Sequence, residues 1–297
     1  MLDDPRVNQT LTLSDKRELG YAEWGADDSD VAVFDLHGGP GCRYSLSGDL
    51  SVIAASGLRW ITIDRPGLGL SWPKLGRSVA DFPSDLAELA DALGIERFHV
   101  VGWSMGGPYA GACAALLKDR VRSATLFAPA SPILQEPDGA ERQGKDFFWK
   151  LARDDPWQAA QLYTGLGLEA RRNPALAVQL FSGSGEGLSA TEAEAMARAE
   201  VQDEFVVMII EATRQGAVGL VDDNRVLMKP WGYDPSTIEV PISLWQGDDD
   251  SFTGVENAQA WVRAIPTLTF RVLEGEGHLF PFSRTEEFIA SLAQGSP

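Results

Sequence analysis

The clearest chemistry in the sequence lies at Gly102-Trp103-Ser104-Met105-Gly106. A serine hydroxyl is a weak nucleophile until a base takes its proton. Here it follows an apolar run and precedes the small residues Gly106, Gly107, Ala110, Gly111 and Ala114. Glycines flanking Ser104 permit a tight strand-to-helix turn that side chains would obstruct, and such a turn pushes the hydroxyl into the open. The N-terminus of the following helix favours negative charge beside it. A second element, His37-Gly38-Gly39-Pro40-Gly41, follows another apolar run ending at Leu36. Its glycines expose backbone N–H groups, so the amides of Gly39 and Met105 are the pair expected to hold a developing oxyanion.

A base must reach Ser104, and the sequence has three histidines. His37 reads as a residue that orients its own loop. His99 stands inside a strand, three residues before Gly102, and reads as a satisfied sheet histidine. His278 closes Glu274-Gly275-Glu276-Gly277-His278, a glycine-rich loop beyond the last expected strand, where a base can reach across to a nucleophile. An acid should then fix the imidazole. Gln246-Gly247-Asp248-Asp249-Asp250 offers three carboxylates after a strand, and any of them could serve. Three adjacent acids also read as a solvated turn.

These groups need a scaffold that brings loop ends together. Gln9–Leu13 and Arg17–Trp24 around Ser14-Asp15-Lys16 suit a hairpin. Val31–Leu36, Trp60–Asp64, His99–Gly102 and Ala124–Ala128 are short apolar runs of the kind buried on both faces of a parallel sheet. Phe82, Leu86, Leu89 and Leu93 recur at helical spacing, and Gly94 stops that helix. From about Ser131 to Thr237 the strands vanish. Phe147–Trp149, Trp157 and Pro174–Phe181 sit in helix-like segments. Ser189-Ala190-Thr191-Glu192 fits a capping box opening a helix toward Glu200, and Val201–Gln215 continues with an apolar face. Alternation resumes with Ile242–Gln246, Val255–Ile265 and Leu268–Leu273, and Ser283-x-x-Glu286 should cap a final helix. The expected architecture is an α/β core, residues 1–130 and 238–297, interrupted by a helical cap at 131–237. Two consecutive domains fit less well, because the closing segment is too small to bury a core alone.

Composition narrows the partners. The 297 residues carry 43 acids against 25 bases, a net charge of −18, with 44% hydrophobic residues. So negative a surface repels phosphate backbones and anionic lipids, so no nucleic-acid or membrane partner is expected. No signal peptide is visible at the N-terminus, and two cysteines are too few for a disulfide scaffold or a cysteine metal site. A reduced cytoplasmic protein acting on a small molecule, without metal or organic cofactor, is the expectation.

Over nearly its whole length the chain resembles the α/β-hydrolase family. His37–Gly41 resembles the family's HGGPG oxyanion loop, Asp64-Arg65-Pro66-Gly67-Leu68-Gly69-Leu70-Ser71 its D-R-P-G-x-G-x-S turn, Gly102–Gly106 its nucleophile elbow, and Gly277-His278 its G-H element. Serine, then aspartate, then histidine is the family's chain order. The resemblance selects Asp250 from the trio, three residues after the glycine that ends the strand. Phe252-Thr253-Gly254 stands where the family often has valine-proline. What the resemblance implies is a mostly parallel sheet flanked by helices, an inserted helical cap, and a Ser104–His278–Asp250 triad. Serine rather than aspartate at the elbow separates the chain from relatives that open epoxides. The implied reaction is cleavage of a carboxylic ester, or related acyl bond, of a small apolar substrate through an acyl-enzyme on Ser104.

Trp103, Phe147 and Trp149 are the substrate-binding candidates, with Phe148, Trp157 and Met208 as further apolar cap residues. Cys42 either lines the site or packs beneath it. The HGGPG loop also resembles that of proline iminopeptidases, which usually carry G-G-S-W-G at the elbow and bind a substrate amine with cap acids. Glu200, Glu204 and Glu211 are available for that task but read better as a solvated helix face. A lyase, acyl transferase or cyclase on the same fold, or a ligand receptor, are the remaining alternatives.

Overall fold

The computed structural model describes residues 4–142, 147–181 and 188–293. Eight strands form one sheet: β1 (Gln9–Thr12), β2 (Glu18–Gly25), β3 (Ala32–Leu36), β4 (Arg59–Ile63), β5 (Phe98–Trp103), β6 (Val121–Phe127), β7 (Ile242–Gly247) and β8 (Thr269–Leu273). Their spatial order is β1-β2-β4-β3-β5-β6-β7-β8. The pairs β1·β2 and β2·β4 are antiparallel, and every other pair is parallel. Each expected strand is present, with ends shifted by a residue or a few. The hairpin turns at Lys16, whose φ is +75°.

The apolar runs are continuous because both sheet faces are covered, so successive residues point into different cores. Phe34, Val100, Leu126 and Leu244 face one side, where they meet the helices Phe82–Ala92, Gly107–Leu116 and Gly254–Ala264. Their neighbours Val33, Val101, Phe127 and Trp245 face the other, with Leu50–Ala55, the closing helix Thr285–Ala293 and much of the helical insertion. Gly111 lets its helix approach closely: a Cβ there would stand 2.6 Å from the Tyr233 hydroxyl and 3.1 Å from the Trp261 ring.

Between β6 and β7 the described chain is helical, with Phe147–Asp154, Pro156–Arg172, Pro174–Phe181, Ala190–Met196, Ala199–Ala212 and Val218–Leu227 as its main helices. The capping box at Ser189 and Glu192 forms as expected. The helix it opens ends at Met196 rather than near Glu200, because Arg198 adopts an extended conformation and starts the next helix. Ser283 is not the N-cap expected of it. Pro281 begins a separate short helix, Phe280–Ser283, and the Ser283 hydroxyl donates back to the Phe280 carbonyl at 2.9 Å. Among the described residues no helix is long and apolar enough to cross a membrane.

Candidate active site

Ser104 sits where β5 gives way to a 3-10 turn, Ser104–Gly106, that runs into the Gly107–Leu116 helix. Its φ is +52°, a left-handed conformation that costs a non-glycine residue about 1–3 kcal/mol and persists only when its surroundings impose it. The surroundings do. A Cβ on Gly102 would lie 2.7 Å from Ala110 Cβ, one on Gly106 would enter the Leu36 carbonyl, and one on Gly107 would press on Pro129. The turn is therefore wedged between the end of β3 and the helix, and the serine takes the strain.

The glycine loop after β3 lies directly against this turn. A Cβ on Gly38 would stand 3.2 Å from Ser104 Cβ, and one on Gly39 would overlap the Met105 thioether. The backbone of both glycines thus passes beside Ser104 and Met105. His37 is fully buried, and its Nδ1 lies 2.7 Å from the Gly38 carbonyl, to which it donates. Burial and the charge of Arg65 push its pKa down to about 3, so the ring is neutral at ordinary pH. Arg65 donates to the carbonyls of both His37 and Gly38, the latter at 2.9 Å. Turning those carbonyls toward a guanidinium fixes the direction of the peptide planes between them.

His278 and Asp250 meet at the far side. Asp250 Oδ2 is 2.9 Å from His278 Nδ1, with both residues buried. The carboxylate takes four further bonds: from Gln246 Nε2 and the Thr253 hydroxyl, each at 2.7 Å, and from the N–H groups of Phe252 and Thr253 at 2.8 and 3.0 Å. Burial opposes its ionisation, but the charge of His278 and these hydrogen bonds hold it well below the usual carboxylate range. The His278 ring is flanked by Phe252 and Trp103, at 5.0 and 5.7 Å between centroids. The Trp103 indole N–H donates to the His278 carbonyl at 3.2 Å, tying the histidine loop to the residue before Ser104.

A family model described as alpha/beta hydrolase fold matches residues 31–285. The chain belongs to the alpha/beta hydrolase fold family. It is 31% identical over 144 residues to a putative non-heme chloroperoxidase of Synechocystis sp., a match covering 46% of this chain and 51% of that protein, so the chain spans about half the length of such relatives. A proline iminopeptidase of Neisseria meningitidis is 25% identical over 292 residues, covering 90% of this chain and 89% of the relative. An esterase structure from Exiguobacterium antarcticum superposes with a TM-score of 0.68 at 19% identity, covering 97% and 98% of the two chains.

Within this hydrolase fold the acidic trio separates cleanly. Asp248 accepts the Gly275 N–H at 2.7 Å and Asp249 the Thr191 hydroxyl at 2.8 Å, which leaves only Asp250 on His278. Phe252 and Thr253, where the sequence departs from the family pattern, supply three of the four further bonds to the Asp250 carboxylate. His99 is satisfied by Ser123 Oγ at 2.7 Å. Among the substrate candidates, Trp103 packs on His278, Trp149 is buried in the core cluster with Leu134 and Val226, and the Phe147 side chain lies outside the described residues. Trp157 is 70% exposed. Cys42 is fully buried, its Sγ 3.8 Å from the Met208 carbonyl, so it packs beneath the insertion.

The three acids of the insertion do not share a solvated face. Glu200 alone is exposed. Glu211 is mostly buried and pairs with Arg43 Nη1 at 2.7 Å, while the Glu204 carboxyl, half-buried, is pushed up to about 7 by burial and the nearby charge of Asp49. All three lie on one side of the Ala199–Ala212 helix, Glu204 four and Glu211 eleven residues on from Glu200, so the split follows position along the helix, with Glu200 in its first turn.

Two residues beside the site escaped the sequence reading. Asp223, on Val218–Leu227, binds Arg65 at 2.7 Å and Arg77 at 3.0 Å and accepts the Tyr109 hydroxyl at 2.8 Å, all buried. Glu192 was legible as a capping residue only. Each acts on residues more than fifty positions away, and no local spacing carries that signal. Among the described residues no cluster of His, Cys, Asp and Glu could hold a metal ion.

Proposed function

We propose that this chain is a serine hydrolase that cleaves a carboxylic ester of a small, apolar substrate through an acyl-enzyme on Ser104. The observation that carries this reading is the buried His278–Asp250 pair, 2.9 Å apart, tied through Trp103 to a serine held at φ +52°. His278 takes the Ser104 proton as the hydroxyl attacks the substrate carbonyl. The amides of Gly39 and Met105 receive the oxyanion, for which backbone donors fixed by packing cost no reorganisation. His278 then protonates the leaving alcohol and later activates the water that releases the acid. Asp250 holds Nδ1 protonated, leaving Nε2 as the base. The helical insertion acts as a cap, and Met208, on the helix above Cys42, supports an apolar acyl group.

The competing reading is an aminopeptidase of the proline iminopeptidase type. It is favoured by the relative matched over nearly the whole chain and by Glu204, a half-buried acid on the Ala199–Ala212 helix. A carboxyl raised to about 7 is only partly ionised at neutral pH, a weak anchor for an ammonium until one arrives, which keeps the ester reading ahead. Intact-mass labelling with a fluorophosphonate, followed by parallel assay of p-nitrophenyl esters and prolyl p-nitroanilide, tests both. One adduct on the wild type, none on Ser104→Ala, and preference for short esters are expected. A folded wild type that takes no adduct would remove the serine-hydrolase reading, and preference for the prolyl amide would replace the ester.

A further inference from the structure

Glu192 is 1% exposed, though glutamate is among the residues least often fully buried. Its capping role accounts for one contact, the Ser189 N–H at 2.8 Å on Oε2. Three more reach far along the chain. Oε1 accepts the backbone N–H of Ser251 at 2.9 Å and that of His278 at 3.2 Å, and Oε2 accepts the Ser251 hydroxyl. Ser251 directly follows Asp250. One side chain from the insertion therefore bridges the loop that carries the acid and the loop that carries the histidine.

Four donors on two oxygens is a pattern only an acceptor-only carboxylate satisfies, since a glutamine would turn an NH2 toward half of them. The contact is also closely fitted. The preceding residue on the helix, Thr191, donates to Asp249 at 2.8 Å, and a Cβ on Gly277 would stand 2.7 Å from both Glu192 Cγ and Thr191 Oγ1. The glycine before the histidine is thus the space into which the helix end docks.

We propose that Glu192 is a positioning residue: it sets the register of the acid loop against the histidine loop, and so the Asp250–His278 hydrogen bond, from the insertion. Its effect on turnover rests on the serine-hydrolase reading above, whereas its effect on the hydrogen bond does not. The test is Glu192→Gln in the full chain, read by kcat and KM on p-nitrophenyl acetate and by the far-downfield proton resonance of His278 Nδ1–H, with circular dichroism to establish folding. A kcat lower by about 10- to 100-fold is expected with KM little changed, because displacement of order 1 Å in a catalytic group costs up to about 100-fold. The resonance should shift or broaden in the folded variant.

A folded Glu192→Gln with the wild-type resonance overturns the proposal, whatever its kcat. Should that variant fail to fold, Gly277→Ala forces a methyl into the same contact from the opposite side and decides by the same resonance: displacement supports the proposal and an unchanged signal overturns it. If the wild type neither hydrolyses esters nor takes a fluorophosphonate, the functional reading fails, and the resonance still decides the role of Glu192.

Discussion

Arg65 and Asp223 meet edge to edge, the Arg65 Nη2 2.7 Å from Asp223 Oδ2 and the Nε 3.0 Å from the same oxygen, with both side chains out of solvent. The guanidinium has five donors, and two of those not spent on Asp223 go to the His37 and Gly38 carbonyls. A carboxylate from the insertion thereby orients the arginine that orients the glycine loop. Removing one partner of a buried pair leaves the other charge uncompensated, so Asp223→Ala should lose about 3–5 kcal/mol of stability. Asp223→Asn should keep more of the fold yet lower kcat by about tenfold or more through a looser loop. Urea unfolding and ester turnover check the two, and an Asn variant with full turnover would count against the link.

The three neighbouring aspartates should respond very differently. Asp250→Asn puts an amide against His278 Nδ1 and favours the wrong tautomer, for which a loss of ~10⁴-fold in kcat is expected. Asp248→Asn and Asp249→Asn, whose carboxylates bind Gly275 and Thr191, should stay near wild type. Steady-state assays of the three variants would reveal any other ranking.

Histidine burial gives stability a pH dependence of definite sign. His37 titrates at about 3 in the folded chain against 6.5 when free, so between those values the unfolded chain binds a proton that the folded chain refuses. Its contribution is complete above 6.5 and is lost as pH falls toward 3, at up to about 1.4 kcal/mol per pH unit. His99, lowered to about 4 by burial and by Arg122 and Arg97, adds to the same slope. Glu204, raised to about 7, and Asp35, raised to about 6 by burial, act in the opposite sense, so His37 is isolated by comparison. In denaturant titrations from pH 7 down to about pH 4, His37→Gln should remove a component of falling stability that the wild type has. An equal slope in the variant would exclude His37 as its source.

Neither thiol should react in the native state. Cys42 and Cys113 are fully buried, and burial pushes both well above the ordinary thiol range, so little thiolate exists to attack a reagent. An aromatic disulfide reagent should titrate no thiol in the folded protein and two after denaturation. Rapid labelling of one native thiol would show that Cys42 opens to the site.

Local rules carried the reading a long way. Short apolar runs marked the strands, and the glycines around Ser104 marked the elbow, because both signals arise from neighbours a few residues apart. Where a second local event competed, the same rules slipped. Pro281 started its own turn, so Ser283 closed one helix instead of opening the next, and the extended Arg198 split a helix that periodicity ran through. Burial of single polar residues was less legible still. Glu204 and Glu211 look alike in sequence, yet only Glu211 lands beside Arg43, a partner 168 residues away.

By itself, then, the sequence determined the alternating layers, the strained turn under Ser104, the glycine loop beside it, and the histidine at the end of the last strand. Each is a matter of side-chain volume, backbone freedom or periodicity, and each is written where it acts. Only the tertiary structure decided that Asp250 rather than Asp248 or Asp249 touches His278 in this chain, that Asp223 braces the glycine loop through Arg65, and that Glu192 clasps the acid and histidine loops together. Those outcomes depend on which loop ends the sheet order brings side by side and on which charges lose their water there. A buried carboxylate must find its donors wherever the fold has placed them.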